Sequence, residues 1–553
     1  MTAPRAWVSY YSYTLCCLSW KPVSSSSSPD CLVLAVDLGT SGCKTALVNQ
    51  AGRVLAWAFE PVATRILPGG GAEQDPQDWW RALMGSARQA LGRGGVDPAR
   101  VLAVCCSTQG EGTVAVDRDG QVLAPALTWM DMRGAAALRR QVRGRLNVAG
   151  YDAWRLWRWL RLCGGAPSLS GKDPAAHMLW LRHHRPDVFE RTYKFLNVLD
   201  FLNHRLTGRF VATPDSILTS WVTDNRDPAC IRYDRRLVAA SGVDAAKFPE
   251  LVRCCDVIGV LLPQVADELG LSRSVQVVAG AIDNTAAAIG AGTLAHYATH
   301  LYVGTSSWLG AHVPAKRTDI RASIASVPCA LPDRYLMVAM QTSAGANLSF
   351  LKDQVLYHQD ELLREAATED VYQLLDQIAA RVPAGSDGLV YTPWLFGERC
   401  PVEDQSLRAG LFNLSLAHSR ETMIRAFLEG VALNTHWMMA PVARFMGRPI
   451  ERLTLLGGGG RSAVWCQIFA DVLGVPIHQL IDPMQANALG AAYIAFHGLG
   501  LLDMARGAAQ TRYRAVFEPR AAHSDVYARR FETFTELHRR LAPLYRRIHS
   551  EEV

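Results

Sequence analysis

No stretch of the 553-residue chain reaches the run of about eighteen apolar residues that a membrane-crossing helix needs. There is no long lysine or arginine run, and the formal net charge of +6 is small for this length, so neither a membrane nor nucleic acid is expected as a partner. Thirteen cysteines include no C-x-x-C, and the adjacent pairs Cys16-Cys17, Cys105-Cys106 and Cys254-Cys255 are badly placed to bridge one another. They read as reduced, mostly buried thiols in a cytoplasmic protein. The fifteen histidines are scattered without the Cys/His spacing of a zinc site. The phosphate-binding G-x-x-x-x-G-K-S/T loop is missing, and so is a G-x-G-x-x-G turn at the start of a βαβ unit.

What is present is a chain 49% hydrophobic and 20% charged, long enough for at least two cores. The first thirty residues stand apart. Residues 7–20, WVSYYSYTLCCLSW, lead into Lys-Pro and SSSSS, a stretch resembling nothing that packs on a core. Ser and Tyr interrupt its apolar part and no A-x-A site follows, so residues 1–30 are expected to be a disordered or spurious extension, not a signal peptide.

Folding is expected from Cys31. Residues 32–49, LVLAVDLGTSGCKTALVN, read as two apolar strands around an Asp-Leu-Gly-Thr-Ser turn, and residues 300–313, HLYVGTSSWLGAHV, repeat the pattern. Two such turns, with their backbone N–H and hydroxyl groups, suit one polyphosphate held between related halves. Between them the sequence predicts a meander through Phe59, a helix within residues 71–91 with Asp78 placed to cap it, a strand at 101–107, and a continuation of the same sheet through TQGEG and the Asp117–Gly120 hairpin. Residues 135–258 read as mainly helical, with Phe195, Val198, Leu199 and Leu202 at helical offsets. A buried strand at 275–282 then leads into the Ala-rich helix opened by Asp283.

Asp37, at the end of a strand with Gly39 and Gly42 beside it, is placed to meet a phosphate or a hydrated Mg²⁺; Thr40, Ser41 and Lys44 add donors. Asp283 emerges at a helix N-terminus, where a carboxylate suits a general base or an ordinary N-cap. The run Gly457, Gly458, Gly459, Gly460 before Arg461 lets a base or phosphate lie against the backbone.

Together these segments resemble the FGGY family of carbohydrate kinases, and DLGTSGCK, EQDPQDWW, TWMDMR, GAIDNTAAAIGAG, GTSSW, FGERCP and LGGGGRSAVWCQIFADVLG look most like xylulokinases. The resemblance runs from about residue 32 to 502. It implies an α/β fold of two ribonuclease-H-like domains, as in actin and hexokinase, closing over an interdomain cleft, with residues 31–290 forming the first domain and 291–545 the second. It implies ATP as donor, Mg²⁺ at Asp37, Thr40, Ser41 and Lys44 as the first phosphate segment, and Gly304, Thr305 and Ser306 as the second. Gly457–Gly460 and Arg461 would border the adenosine. Asp283 would be the base, and Gln109, Glu111, Asp131 and Asn284 would hold a small sugar or polyol, a ketopentose such as xylulose being the first expectation. Family members are often dimers or tetramers, so a homodimer is possible.

Two departures bear on the acceptor. Xylulokinases usually carry Gln-Met-His-Gly, and glycerol kinases Gln-Arg-Glu, where this chain has Gln109-Gly110-Glu111-Gly112. Glu111 can accept from two hydroxyls and Gly110 leaves room, so glycerol, a tetritol, a pentitol or gluconate stays open as acceptor. His177 replaces the Lys of the family's first signature and is expected on a helix surface. A regulatory ATPase of the same superfamily, or a degenerate kinase that only binds sugar, also stays open.

Overall fold

The computed structural model describes residues 31–93, 95–358, 360, 368 and 370–551. The expectations for residues 1–30 lie outside the described residues. Two large sheets carry the molecule. The first runs in the order Val257–Val260, Gln276–Ile282, Val101–Thr108, Leu32–Gly39, Gly42–Asn49, Val54–Pro61. The second runs Thr318–Asp319, Ile324–Pro328, Tyr335–Gln341, Ser307–Val313, Thr299–Val303, Leu453–Leu456, Ile477–Leu480, Tyr513–Phe517.

Their centres are built alike. Leu32–Gly39 pairs antiparallel with the next strand and parallel with Val101–Thr108, and Thr299–Val303 pairs antiparallel with the next strand and parallel with Leu453–Leu456. Both expected hairpins are therefore real, and each lies at the middle of its sheet. The nearly continuous burial of Leu32–Gly39 and Ser307–Val313 reflects coverage on both sides of the sheet.

Each sheet is followed by a helix that packs on the other one. Asp283–Gly290 leaves the first sheet and lays Ala287 and Ala288 against Trp308, Leu336, Val338 and Leu456 of the second. Ala486–Gly498 leaves the second sheet and lays Ala488, Ala491, Ile494 and Ala495 against Val33, Ala35, Ala46 and Cys105 of the first. The two helices cross at a pair of glycines. A Cβ on Gly290 would fall 1.8 Å from the Ala486 carbonyl oxygen, and one on Gly490 would fall 1.9 Å from that of Ala286. Alanine-rich sequence in both segments is what lets the backbones meet.

Other expectations need correction. Residues 113–127 do not continue the main sheet: Val114–Val116 pairs with Lys194–Leu196, while Ala126–Leu127 joins Gly71–Gln74 and Arg65–Leu67 in a separate three-stranded sheet. The helix expected over residues 71–91 is Pro76–Arg93, with a strand before it, so Asp78 lies in its first turn instead of capping it. Phe195 belongs to the strand and not to the helix Val198–Thr207. In each case apolar residues are shared between a strand and the adjoining helix, and periodicity alone cannot divide them.

The glycine crossing yields a prediction. Gly490→Ala is expected to destabilise the protein by about 1–3 kcal/mol through overpacking, read as a lower denaturation midpoint. Gly92→Ala, where a Cβ meets nothing within 4 Å, is expected to show no loss.

Candidate active site

The first hairpin brings Asp37 and Lys44 opposite each other across the strand pair. Lys44 Nζ donates to Asp37 Oδ2 at 3.1 Å and to the Met484 carbonyl at 2.7 Å, and Asn487 Nδ2 donates to Asp37 Oδ1 at 3.1 Å. Asp37 is thus held by its own hairpin and by the first turn of the helix that arrives from the second sheet. The Asn487 side-chain Oδ1 has no hydrogen-bond partner among the described residues.

In the second hairpin Tyr302 stands in the position of Asp37, two residues before Gly304. It stacks on Trp308 with centroids 3.8 Å apart, and both Asp37 and Asp283, together with burial, push its hydroxyl pKa up. Ala344, Gly345 and Ala346 donate backbone N–H groups to the carbonyls of Gly304 and Thr305, bracing the turn from below. Gly457, at φ 84°, lies against Val303: a Cβ there would come 2.6 Å from the Val303 carbonyl oxygen. The Gly457–Arg461 turn therefore adjoins the second hairpin, and Arg461 reaches Met484 Sδ at 3.9 Å. The first phosphate segment, the glycine turn and Arg461 all converge on Met484. Ser41 and Thr305 are exposed, as ligand-facing turn residues would be.

Asp283 is the first residue of its helix, not the N-cap, which is Ile282. Its carboxyl accepts the Asn284 N–H at 2.7 Å, while burial first, and then the charges of Asp37, Glu111 and Asp215, push its pKa up to about 7. Two features aim it. The strand bulges at Gly280, φ 77°, where a Cβ would strike the Cys106 carbonyl oxygen at 2.0 Å. Buried Asp215 accepts the Ile282 N–H at 3.0 Å and the Thr213 hydroxyl at 2.6 Å, fixing the residue just before Asp283. Asn284 follows at the partly buried helix entry.

The four expected acceptor residues divide. Glu111 sits at φ 60°, a left-handed conformation uncommon for a side chain of its size, and its carboxylate lies 3.8 Å from Arg399 Nη2 of the opposite lobe. Gln109 has its amide occupied: Thr40 Oγ1 donates to it at 3.0 Å and it donates to Gln74 at 2.8 Å. Asp131 is fully buried against Arg133 and the Ala72 N–H, so it buttresses the pocket wall and is not brought to its surface. His177 is also buried, against expectation. It bridges Thr113 Oγ1 and the Asp131 carbonyl, and burial pushes its pKa down to about 4, so it is neutral near pH 7.

Gln74 escaped notice except as part of EQDPQDWW. Fully buried, it donates to the Thr40 carbonyl at 2.7 Å and Thr64 Oγ1 at 2.9 Å, and accepts from Trp79 Nε1 and Gln109 Nε2. Thr40, held further by Trp129 Nε1 at 2.9 Å, is thereby locked from its carbonyl and its hydroxyl. Arg399, Lys172, Asp215 and Asn487 were missed for a shared reason: each comes from a segment distant in sequence from the motif it serves.

Hard oxygen donors at Asp37 and the free Asn487 carbonyl, beside a second carboxylate at Asp283, fit a magnesium ion that keeps most of its ligands as water and phosphate. Among the described residues no group of three or more His, Cys, Asp or Glu side chains could hold a metal alone.

Two strand–Gly-Thr-Ser–strand hairpins in similarly built sheets, with a half-buried carboxyl at Asp283, fit the actin and sugar-kinase architecture. Residues 32–290 match the model of the N-terminal domain of the FGGY family of carbohydrate kinases and residues 300–499 that of its C-terminal domain, so the chain belongs to the FGGY family of carbohydrate kinases. It is similar to the xylulose kinase of Bacillus subtilis (strain 168), 28% identical over 514 residues, 92% of this chain and 96% of that one. It is also similar to the gluconokinase of the same organism, 24% identical over 474 residues, 85% and 88% of the two chains. The crystal structure of the xylulose kinase from Rhodospirillum rubrum matches with a TM-score of 0.76 at 27% identity, over 93% of this chain and 100% of that one.

Gln74→Ala strands two buried donors and two acceptors, and is expected to cost about 2–4 kcal/mol, measured by chemical denaturation. If Gln74 contributes nothing to the Thr40 turn, the midpoint does not move.

Proposed function

We propose that this kinase transfers the γ-phosphoryl group of ATP to a hydroxyl of a small sugar or polyol, with a ketopentose such as xylulose as the first acceptor to test. The observation that carries the reading is Asp283: a carboxyl at a helix entry whose pKa burial, and then the charges of Asp37 and Glu111, push up to about 7. A carboxylate so placed takes the proton of the acceptor hydroxyl as its oxygen attacks the γ-phosphorus in line and ADP departs. The turns 39–42 and 304–306 would hold the phosphates through backbone N–H groups, with Lys44 as a point charge, and the Gly457–Arg461 turn would border the adenosine. Mg²⁺, when bound, supplies neutralisation of the phosphate charge, and Asp37 with Asn487 would hold it. Glu111 and Asn284 line the acceptor side, and Gln109 acts through Thr40.

The xylulose kinases among the relatives favour the ketopentose. We take residues 31–290 and 291–545 as the two working lobes, with the crossed helices as their joint, and water exclusion on closure as the guard against idle ATP hydrolysis. No helix among the described residues is long and apolar enough to cross a membrane, and the described cysteines are free thiols, which suits the cytoplasm.

ADP release is expected to depend on added acceptor; steady hydrolysis unaffected by any polyol would defeat the reading. With Asp283 as base, kcat/KM should fall about tenfold per pH unit below pH 7 and level off above it, since the protonated form is inactive. Asp283→Asn should cost at least about a hundredfold in turnover with little change in ATP binding. Because the folded chain holds this proton to higher pH than the unfolded chain does, ionisation of Asp283 weakens the fold, and the stability gained by Asp283→Asn should be larger at pH 8 than at pH 5. Glu111→Ala should raise KM for the acceptor several-fold more than KM for ATP; equal effects would place Glu111 outside the acceptor pocket.

A further inference from the structure

Beside Glu111 two cations come from segments far apart in sequence. Lys172 lies in the loop before the helix Pro174–His184 and is only 9% exposed. Among the described residues its ammonium makes no ion pair and no hydrogen bond; its one contact is the ring of Phe396, 5.0 Å from Nζ, across the cleft. Phe396 is 47% exposed and stands three residues before Arg399 on the same loop. Arg399 reaches one carboxylate, Glu111, at 3.8 Å, a separation longer than a charge-assisted hydrogen bond.

The neighbouring acids leave this imbalance in place. Asp173 is buried, and one of its oxygens already accepts the Ser168 N–H and Trp221 Nε1, each at 2.6 Å. Glu111 and, more weakly, Glu403 attract the Lys172 ammonium at a distance without pairing with it among the described residues, and the Glu403 side chain is exposed. A buried ammonium without a counter-charge is costly unless a ligand supplies one. Burial and the Arg399 charge depress its pKa to about 8, so it is still mostly protonated at pH 7. Burial, and then the Glu111 charge, push the Asp173 pKa up to about 7, so Glu111 is the carboxylate left to accept hydroxyls.

We propose that Lys172 and Arg399 form an anion subsite beside Glu111, and that the preferred acceptor is a sugar acid of the aldonate class, its carboxylate seated between the two cations and a chain hydroxyl on Glu111. This rests on the carbohydrate-kinase reading and narrows its acceptor: a neutral ketopentose can occupy the transfer end of the pocket but leaves Lys172 unneutralised. The loop of Phe396 and Arg399 and the loop of Lys172 both contribute to the subsite. Lys172 is on this reading a specificity-determining residue, and phosphate transfer itself remains with Asp283.

The test uses the full chain with Mg·ATP and three acceptors, D-xylonate, D-gluconate and D-xylulose, alongside calorimetric binding of each without nucleotide. In the wild type the better acid is expected to exceed D-xylulose at least tenfold in kcat/KM. Lys172→Met is expected to lower that acid-to-ketose ratio at least tenfold, chiefly through KM, and Lys172→Arg to restore part of it. Loss of a buried unpaired charge should leave the Lys172→Met protein folded, which its denaturation midpoint checks. A wild-type preference for D-xylulose, or an acid-to-ketose ratio unchanged by Lys172→Met, overturns the subsite, as does failure of both acids to bind. Binding of an acid that depends on Lys172, without phosphorylation of any acceptor, supports the subsite while sinking the phosphotransfer reading, so the two fail separately.

Discussion

The contact on which the rest depends is the backbone-to-backbone crossing of the helices Asp283–Gly290 and Ala486–Gly498. Each follows a strand of one sheet and packs on the sheet of the opposite half, so the two sheets cannot separate without breaking both apolar contacts. The crossing also decides what reaches the cleft. One helix begins with Asp283 and the other carries Asn487 to Asp37, and glycine at 290 and 490 sets how near those helix entries come. A larger residue at either position would push the carboxylate away from the phosphate hairpins.

Around that joint the cleft is charged unevenly. The two hairpins share Gly-Thr-Ser, but one carries Asp37 where the other carries stacked Tyr302, so the acidic character lies on one wall. Asp37 is tied down by Lys44 and Asn487, whereas Asp283, with one backbone donor and several like charges near it, keeps its proton to near pH 7. Two carboxylates with unequal environments thus take different tasks: one stays near cations and donors, the other can exchange a proton. Lys172 and Arg399 bring positive charge beside Glu111.

Buried polar networks hold these groups in place. Gln74 and Gln109 spend their amides on the Thr40 turn, Asp215 spends its carboxylate on the backbone before Asp283, and His177 with Asp131 and Arg133 closes the wall behind the Glu111 turn. In sequence Gln109 and Asp131 read as ligand-facing residues, because polar side chains in motif loops suit both tasks. What separates support from recognition is whether the hydrogen-bonding capacity is already used, and that is a property of partners far along the chain.

Sequence by itself determined the two hairpins, the strand leading into Asp283, the glycine turn before Arg461 and the α/β class, because each is written in local periodicity and in turn residues with definite backbone demands. It also carried enough ordered motifs to indicate a carbohydrate kinase. Only the tertiary structure decided that residues 113–127 leave the main sheet, that His177 is buried and neutral, that the closing helices exchange sheets, and that Lys172 meets Phe396 and Arg399 across the cleft. The physical reason is that pairing of strands, burial of a charge and exhaustion of a hydrogen-bonding group are set by contacts between distant segments, which local spacing does not record.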